Sequence, residues 1–305
     1  MIGKDLLGLK GLSKETISEI LAEGSKMRDL LDQGEKDFST LKGKNITTLF
    51  YENSTRTMTS FSNAGKFLGA TVSNLAVGSS SVKKGESLID TGETLDALKT
   101  DLIVIRHSTS GAPKFLADHV KAKVVNAGDG MHEHPTQALL DMLTMKRYFG
   151  KIEGLNVAIV GDVKHSRVAR SNVYGLTTMG AKVRLFSPST LQATDIDKMG
   201  NVTVHTDLKE AIDGVDVVMG LRIQLERQQQ GLFPSLSEYF KYYGVKESDL
   251  KYIAKNGIIM HPGPVNRDVE LSSAVIDGAN SHILDQVSNG LSVRMAILKL
   301  MLGGR

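Results

Sequence analysis

Phe50-Tyr51-Glu52-Asn53-Ser54-Thr55-Arg56-Thr57-Met58-Thr59-Ser60-Phe61 reads as a strand end, a turn and a helix start. Upstream, Asn45-Ile46-Thr47-Thr48-Leu49-Phe50 is rich in β-branched and aromatic residues, as a buried strand is. Downstream, Phe61, Ala64, Phe67 and Leu68 recur at helical spacing. Ser54, Thr55 and Thr57 therefore fall on the first turn of a helix, where free backbone N–H groups and the dipole favour negative charge. With the planar fork of Arg56 added, the stretch is suited to hold an anion such as a phosphate. The same residues also fit an ordinary capped helix with a solvated Arg.

Ser13 caps a helix running to about Gln33. Strand 45–51 and helix 55–68 precede a second strand, 70–75, and a helix near 87–99. The apolar run Leu102-Ile103-Val104-Ile105 delivers Arg106 and His107 at its end, and Lys123 to Asn126 is a further strand before the loop 127–130. Pro135, suited to a first helical position, opens a strong helix. A second alternation follows: strand 156–160, helix 166–179, strands 182–186 and 202–205, helix 207–213, strand 215–219, helices 235–243 and 248–255, and strand 257–260. A closing helix is expected from Asn289. Strands alternating with helices predict an α/β protein of two doubly wound, parallel-sheet domains linked by helices.

The 305 residues suffice for two domains. Apolar content of 41% and charged content of 23% suit a globular protein, and 37 basic against 34 acidic residues are too balanced to indicate a nucleic-acid binder. No cysteine is present, which excludes disulfides, thiolate-bound zinc and a thiol nucleophile. The N-terminus has no apolar signal core, and no apolar run reaches membrane length, so a cytoplasmic protein with no membrane partner is expected.

In doubly wound sheets, ligands gather at the C-terminal ends of strands. Those ends are Ser54 to Thr57, Arg106, the segment up to His134, Asp162 to Arg167, Arg222, and Pro262-Gly263-Pro264. Each Arg taken alone fits a solvated surface residue; their convergence at one edge is the signal. Loop 78–86, with Ser81 and Lys84, fits both a surface loop and an anion-capturing one. His132 and His134 lack a third ligand at a metal-site spacing, so no metal is expected. Gly161 to Arg167 lacks the glycines of a dinucleotide site. Arg167 at a helix head is disfavoured by the dipole unless an anion meets it.

Phe50 to Thr57 matches Phe-x-Glu-x-Ser-Thr-Arg-Thr and resembles the carbamoyl-phosphate signature of the aspartate and ornithine carbamoyltransferases. The resemblance runs over nearly the whole chain, with motifs in order near 54, 84, 106, 134, 167, 222 and 262. It implies a carbamoyl-phosphate-binding domain, 1–134, to which a C-terminal helix, 289–305, returns, and an aspartate-binding domain, 135–288. It implies that carbamoyl phosphate is held by Ser54, Thr55, Arg56, Thr57, Ser81, Arg106, His134 and Gln137. Arg56, Thr57, Lys84, Arg106 and His134 would be catalytic. Aspartate would be held by Lys84, Arg167, Arg222, Gln224, Gly263 and Pro264, with Glu52 supporting Arg167. Ser81 and Lys84 would come from the neighbouring subunit of a homotrimer with shared active sites.

The ornithine members carry an Asp, a Ser-Met-Gly segment and a Cys in their His-x-Leu-Pro motif. None of these stands here, and Arg222 suits an acidic side chain. The resemblance thus implies carbamoyl transfer to the α-amine of L-aspartate, giving N-carbamoyl-L-aspartate and phosphate, an early step of pyrimidine synthesis, with no cofactor. Two positions depart from the common pattern: Glu133 stands where Gln is usual, which bears on the charge of His134, and Gly263 where Leu or Ala is usual. Another amine acceptor, or a non-catalytic anion binder on the same scaffold, stays open. So does a regulatory chain or a dihydroorotase partner.

Overall fold

A strand without polar alternation is stable only when both its faces are covered, and parallel sheets flanked by helices provide that cover. The computed structural model describes residues 2–76, 85–193, 195–196, 200–223 and 235–303. It bears out the expected fold class: a four-stranded and a five-stranded sheet, with every strand pair parallel. The chain divides into two compact units, Met1–Leu143 with Ser288–Arg305, and Thr144–Val287.

In the first unit, α1 (Lys14–Asp32) starts at Ser13, whose hydroxyl accepts from the Thr16 N–H at 3.2 Å. Then follow β1 (Asn45–Phe50), α2 (Thr55–Phe67), β2 (Thr71–Ala76), α3 (Leu88–Ala97), β3 (Leu102–His107), α4 (Ala112–Ala117), β4 (Lys123–Asp129) and the start of α5 (Pro135–Phe149). The sheet order is β2-β1-β3-β4. Leu49, Ile103, Ile105, Leu116 and Val124 belong to one buried cluster of this unit. The second unit holds β5 (Asn156–Val160), α6 (Arg167–Thr178), β6 (Lys182–Phe186), β7 (Val202–His205), α7 (Leu208–Ile212), β8 (Val217–Gly220), α8 (Leu236–Tyr243), β9 (Ile258–Met260), α9 (Ser273–Ile276) and the start of α10 (Ile283–Leu302). Its sheet order is β7-β6-β5-β8-β9.

Several elements differ from the sequence reading. α4 and α9 lie in stretches without helical periodicity, because six and four residues are too few to display it. α4 starts from Gly111, at φ 87°, with Pro113 in its first turn. In place of the helix expected at 248–255, the chain forms the 3-10 helix Glu247–Tyr252. β4 runs on to Asp129 rather than ending at Asn126. The closing helix begins at Ile283, not at Asn289. Its first turns place Leu284 and Val287 in solvent, so the apolar stripe does not announce them. Further on, Val293, Met295, Ala296, Ile297 and Leu298 are fully buried.

The N-terminal segment is tied to the edge of the first sheet. Leu6 bridges Val125, and the side-chain amide of Asn126 donates to Leu7 O at 2.8 Å. Glu133 completes the tie: its two carboxylate oxygens accept from the Leu9 N–H at 2.7 Å and the Lys10 N–H at 3.2 Å. The carboxylate is 1% exposed, and Gly8 leaves it room, since a Cβ there would lie 2.3 Å from Oε1. Removing this acceptor leaves the buried Leu9 N–H unsatisfied, which costs about 1–3 kcal/mol. Glu133→Ala is therefore expected to lower unfolding stability by about that amount. Glu133→Gln should fall between, because an amide offers one oxygen where the carboxylate offers two. Urea denaturation of the three proteins checks the ranking; equal midpoints would show that the tie is energetically idle.

Candidate active site

Where neighbouring strands of a parallel sheet send their chains in opposite directions, the loops part and leave room for a ligand. In the first sheet this happens between β1 and β3. Phe50 pairs with Arg106, so the turn into α2 and the Arg106 side chain leave the sheet at the same level. Ser54 is the N-cap of α2, at φ −159° and ψ 83°, yet its side chain makes no capping hydrogen bond. In α1, α3, α6, α7, α8 and α9 the cap side chain accepts from the N–H three residues on. The first-turn N–H groups of α2 are thus not covered by their own cap. Thr55 and Arg56 are exposed there and Thr57 is buried.

Arg106 is held on two sides. Its Nε lies 3.2 Å from Glu52 Oε2, and its Nη1 donates to Ala127 O at 3.4 Å. Beside it the His107 ring packs on Tyr51 with centroids 4.6 Å apart. The Thr109 N–H donates to His107 Nδ1 at 2.9 Å, so a neutral ring carries its proton on Nε2. Burial pushes the His107 pKa below its ordinary value, which favours that neutral form.

His134 directly precedes α5 and is 4% exposed; its carbonyl accepts from the Gln137 and Ala138 N–H groups. Its position is set by Asp129, which accepts from the Glu133 N–H at 3.1 Å, the Asn126 amide at 2.8 Å and the Gly111 N–H at 2.7 Å. Gln137 donates through Nε2 to Asp141 Oδ1 at 2.9 Å. A carboxylate only accepts, so the amide must turn its nitrogen to Asp141 and offer its oxygen elsewhere.

In the second sheet the reversal lies between β5 and β8. Val160 pairs with Gly220, and the Leu221 N–H donates to Val160 O at 2.7 Å. Gly161, at φ 131°, permits this approach, since a Cβ there would lie 2.8 Å from Leu221 O. Asp162 is buried and meets His165 Nδ1 at 2.9 Å. Ser166 caps α6 by accepting from the Ala169 N–H at 3.1 Å, which places Arg167 as the first helical residue, 3% exposed. A buried guanidinium at the positive end of a helix dipole is costly unless acceptors surround it.

Arg222 follows β8 and is half-buried. Its neighbour Ile223 donates its N–H to Glu270 Oε1 at 3.1 Å, and Glu270 also accepts from Asn266 N at 2.9 Å and Asn266 Nδ2 at 2.8 Å. Burial raises the Glu270 pKa, and these donors pull it back. Gly263 donates its N–H to His261 Nδ1 at 2.9 Å, and the Gly263–Pro264 peptide is cis.

The structure thus brings Ser54, Thr55, Arg56, Thr57 and Arg106 to one strand reversal, and Arg167 and Arg222 to the other. Ser81, Lys84 and Gln224 lie outside the described residues. Sequence reasoning passed over Asp129, Asp141, Glu270 and Arg294. The available signal was a charge inside an apolar helical run: Asp141 among Leu139, Leu140 and Met142, and Arg294 between Val293 and Met295. Among the described residues, no group of three His, Asp or Glu side chains could hold a metal ion, and no helix is long and apolar enough to cross a membrane.

Comparison with known proteins extends these observations. Residues 4–147 match the profile of the aspartate/ornithine carbamoyltransferase carbamoyl-P binding domain, and residues 153–301 match that of the Asp/Orn binding domain. The chain is 57% identical over 301 residues to an aspartate carbamoyltransferase catalytic subunit from Heliobacterium modesticaldum, covering 99% of this chain and 96% of that one. Its fold is similar to that of aspartate transcarbamoylase from Trypanosoma cruzi, solved in complex with carbamoyl phosphate and aspartate: TM-score 0.86, 31% identity, 97% of this chain and 94% of that chain. Ornithine carbamoyltransferase from Thermus thermophilus superposes with TM-score 0.88 at 28% identity, over 99% of this chain and 100% of that chain. The chain belongs to the aspartate/ornithine carbamoyltransferase family.

Proposed function

We propose that this chain transfers the carbamoyl group of carbamoyl phosphate to the α-amine of L-aspartate, releasing phosphate and N-carbamoyl-L-aspartate. The observation that carries the reading is the placement of arginines at the strand reversals of both sheets: Arg56 and Arg106 at one, Arg167 and Arg222 at the other. Two anionic substrates need two cationic sets. The first set, on a strand–turn–helix with open N–H groups, suits a phosphate. The second suits the carboxylates of an amino acid. The Heliobacterium relative and the Trypanosoma complex support aspartate as acceptor. Arg222 also supports it over ornithine, since a guanidinium repels an ammonium side chain.

Each residue then has a task. Ser54, Thr55, Arg56 and Thr57, with Ser81 and Lys84, receive the phosphate and stabilise it as it leaves. Gln137, its amide turned by Asp141, accepts a hydrogen bond from the carbamoyl nitrogen. Thr57, Arg106 and His134 donate to the carbonyl oxygen, which gains negative charge as the tetrahedral centre forms. Arg167, Arg222 and Gln224, with Lys84, hold the aspartate carboxylates, and the Gly263-Pro264 segment contacts the substrate through its backbone. The amine attacks as the free base. Its lone pair forms the C–N bond, the C–O bond to phosphate breaks, and the proton that the amine gives up passes to the departing phosphate. Holding both reactants in line removes much of the orientational entropy of the encounter, and fixed donors supply the electrostatic part. In this reading the active enzyme is a trimer that shares Ser81 and Lys84 between subunits, and the relative's designation as a catalytic subunit supports assembly with further chains.

Arg56→Ala is expected to lower turnover by roughly 10²–10³ with a melting temperature close to the parent's, because the side chain is exposed. Steady-state kinetics together with a thermal melt check this, and near-parental turnover would contradict the assignment. With carbamoyl phosphate supplied to a panel of aspartate, ornithine and putrescine, phosphate should be released with aspartate alone, and Arg222→Ala should raise the aspartate KM more than the carbamoyl phosphate KM. Release with ornithine would move the chain to the other branch, and release with none would favour a binding protein. Inactive Arg56→Ala and Lys84→Ala chains, mixed and reassembled, should regain part of the activity; complete inactivity of the mixture would argue against shared sites.

A further inference from the structure

Two charged side chains lie deep in the first unit. Asp141, on α5, is 0% exposed, and Arg294, on α10, is 5% exposed. Asp141 fixes the Gln137 amide one turn earlier. Arg294 reaches α2: its Nη1 donates to Ser60 Oγ at 2.9 Å, and its guanidinium stands over the Phe61 ring, 5.2 Å from the centroid. Gly290, one turn before Arg294 on α10, makes space for that head group, since a Cβ at 290 would come within 2.7 Å of Nη1. Burial draws the Arg294 pKa down to about 10, and the Asp141 carboxylate offsets part of the effect, so the guanidinium stays charged at neutral pH.

Stability alone does not account for this arrangement. Replacing buried charges by apolar side chains of similar volume is often neutral or stabilising, because desolvation offsets most of the attraction. Placement is what the two charges supply. We propose that Asp141 and Arg294 are positioning residues for carbamoyl phosphate: Asp141 presents the Gln137 oxygen, and Arg294 holds α2 through Ser60 and Phe61 so that Ser54 to Thr57 keep their register. The inference rests on the reading of this site given above. It assigns part of the substrate-binding geometry to the C-terminal helix, α10.

The test uses the full-length protein and three variants: Ser60→Ala, Gly290→Ala and the double variant Asp141→Leu/Arg294→Met. For each, the carbamoyl phosphate KM, the affinity for inorganic phosphate by calorimetry, and the melting temperature are measured. Ser60→Ala, which removes the link to α2 and leaves the Arg294 guanidinium without that acceptor, is expected to weaken phosphate binding about threefold with a modest fall in melting temperature. Gly290→Ala, which displaces the guanidinium, should weaken phosphate binding as well. The double variant should raise the carbamoyl phosphate KM tenfold or more while keeping or raising the melting temperature. Parental phosphate affinity and carbamoyl phosphate KM in Ser60→Ala and Gly290→Ala would overturn the proposal, whatever happens to stability; if the double variant does not fold, these two decide alone. Absence of carbamoyl transfer by the parent protein would sink the enzymatic reading instead, and the phosphate affinities would still judge the bracing role.

Discussion

A strand covered on both faces can show polar side chains to a ligand only where it ends. In this protein β1, β3, β4, β5 and β8 are buried along nearly their whole length, so solvent-facing chemistry is pushed to the loops. Parallel pairing then sends every strand in a sheet the same way, and all C-terminal ends fall on one edge. Arg106 beside the start of α2, and Arg222 beside the turn into α6, follow from that constraint. Helix N-termini arrive at the same edges, so open N–H groups and arginines add their charge at the same place.

Positive charge gathered in this way must be held in place. Arg106 leans on Glu52 and on the Ala127 carbonyl, which restricts the guanidinium before any substrate arrives. Asp129 gathers donors from Gly111, Asn126 and Glu133 and thereby sets the chain just before His134. Glu270 does the same for the residue after Arg222. Asp129 and Glu270 are buried and multiply hydrogen-bonded, the condition under which a buried charge is tolerated. Each costs desolvation and returns rigidity, which suits a site meant to stabilise charge that exists only briefly.

The fold class was legible because it depends on local patterns: aliphatic runs, helical apolar spacing, and the Ser cap at 13. The candidate substrate-binding arginines were legible for the same reason, since each follows a readable strand or opens a readable helix. Glu133 was visible as a departure, but its partners were not. The N–H groups it receives belong to Leu9 and Lys10, more than 120 residues earlier, and no local pattern encodes such a pairing. α4 and α9 escaped notice because short helices are stabilised by what they pack against more than by their own periodicity.

By itself, then, the sequence determined where the strands and most of the longer helices form and which side chains stand at strand ends, because backbone preference and apolar period act over a few residues. Only the tertiary structure decided the order of strands in each sheet, and with it the two reversals at which the arginines meet. It alone decided that Arg294, near the end of the chain, lies against Ser60 and near Asp141. The physical reason is that burying a charge depends on partners supplied by distant segments, and those are assembled only when the sheets and helices pack.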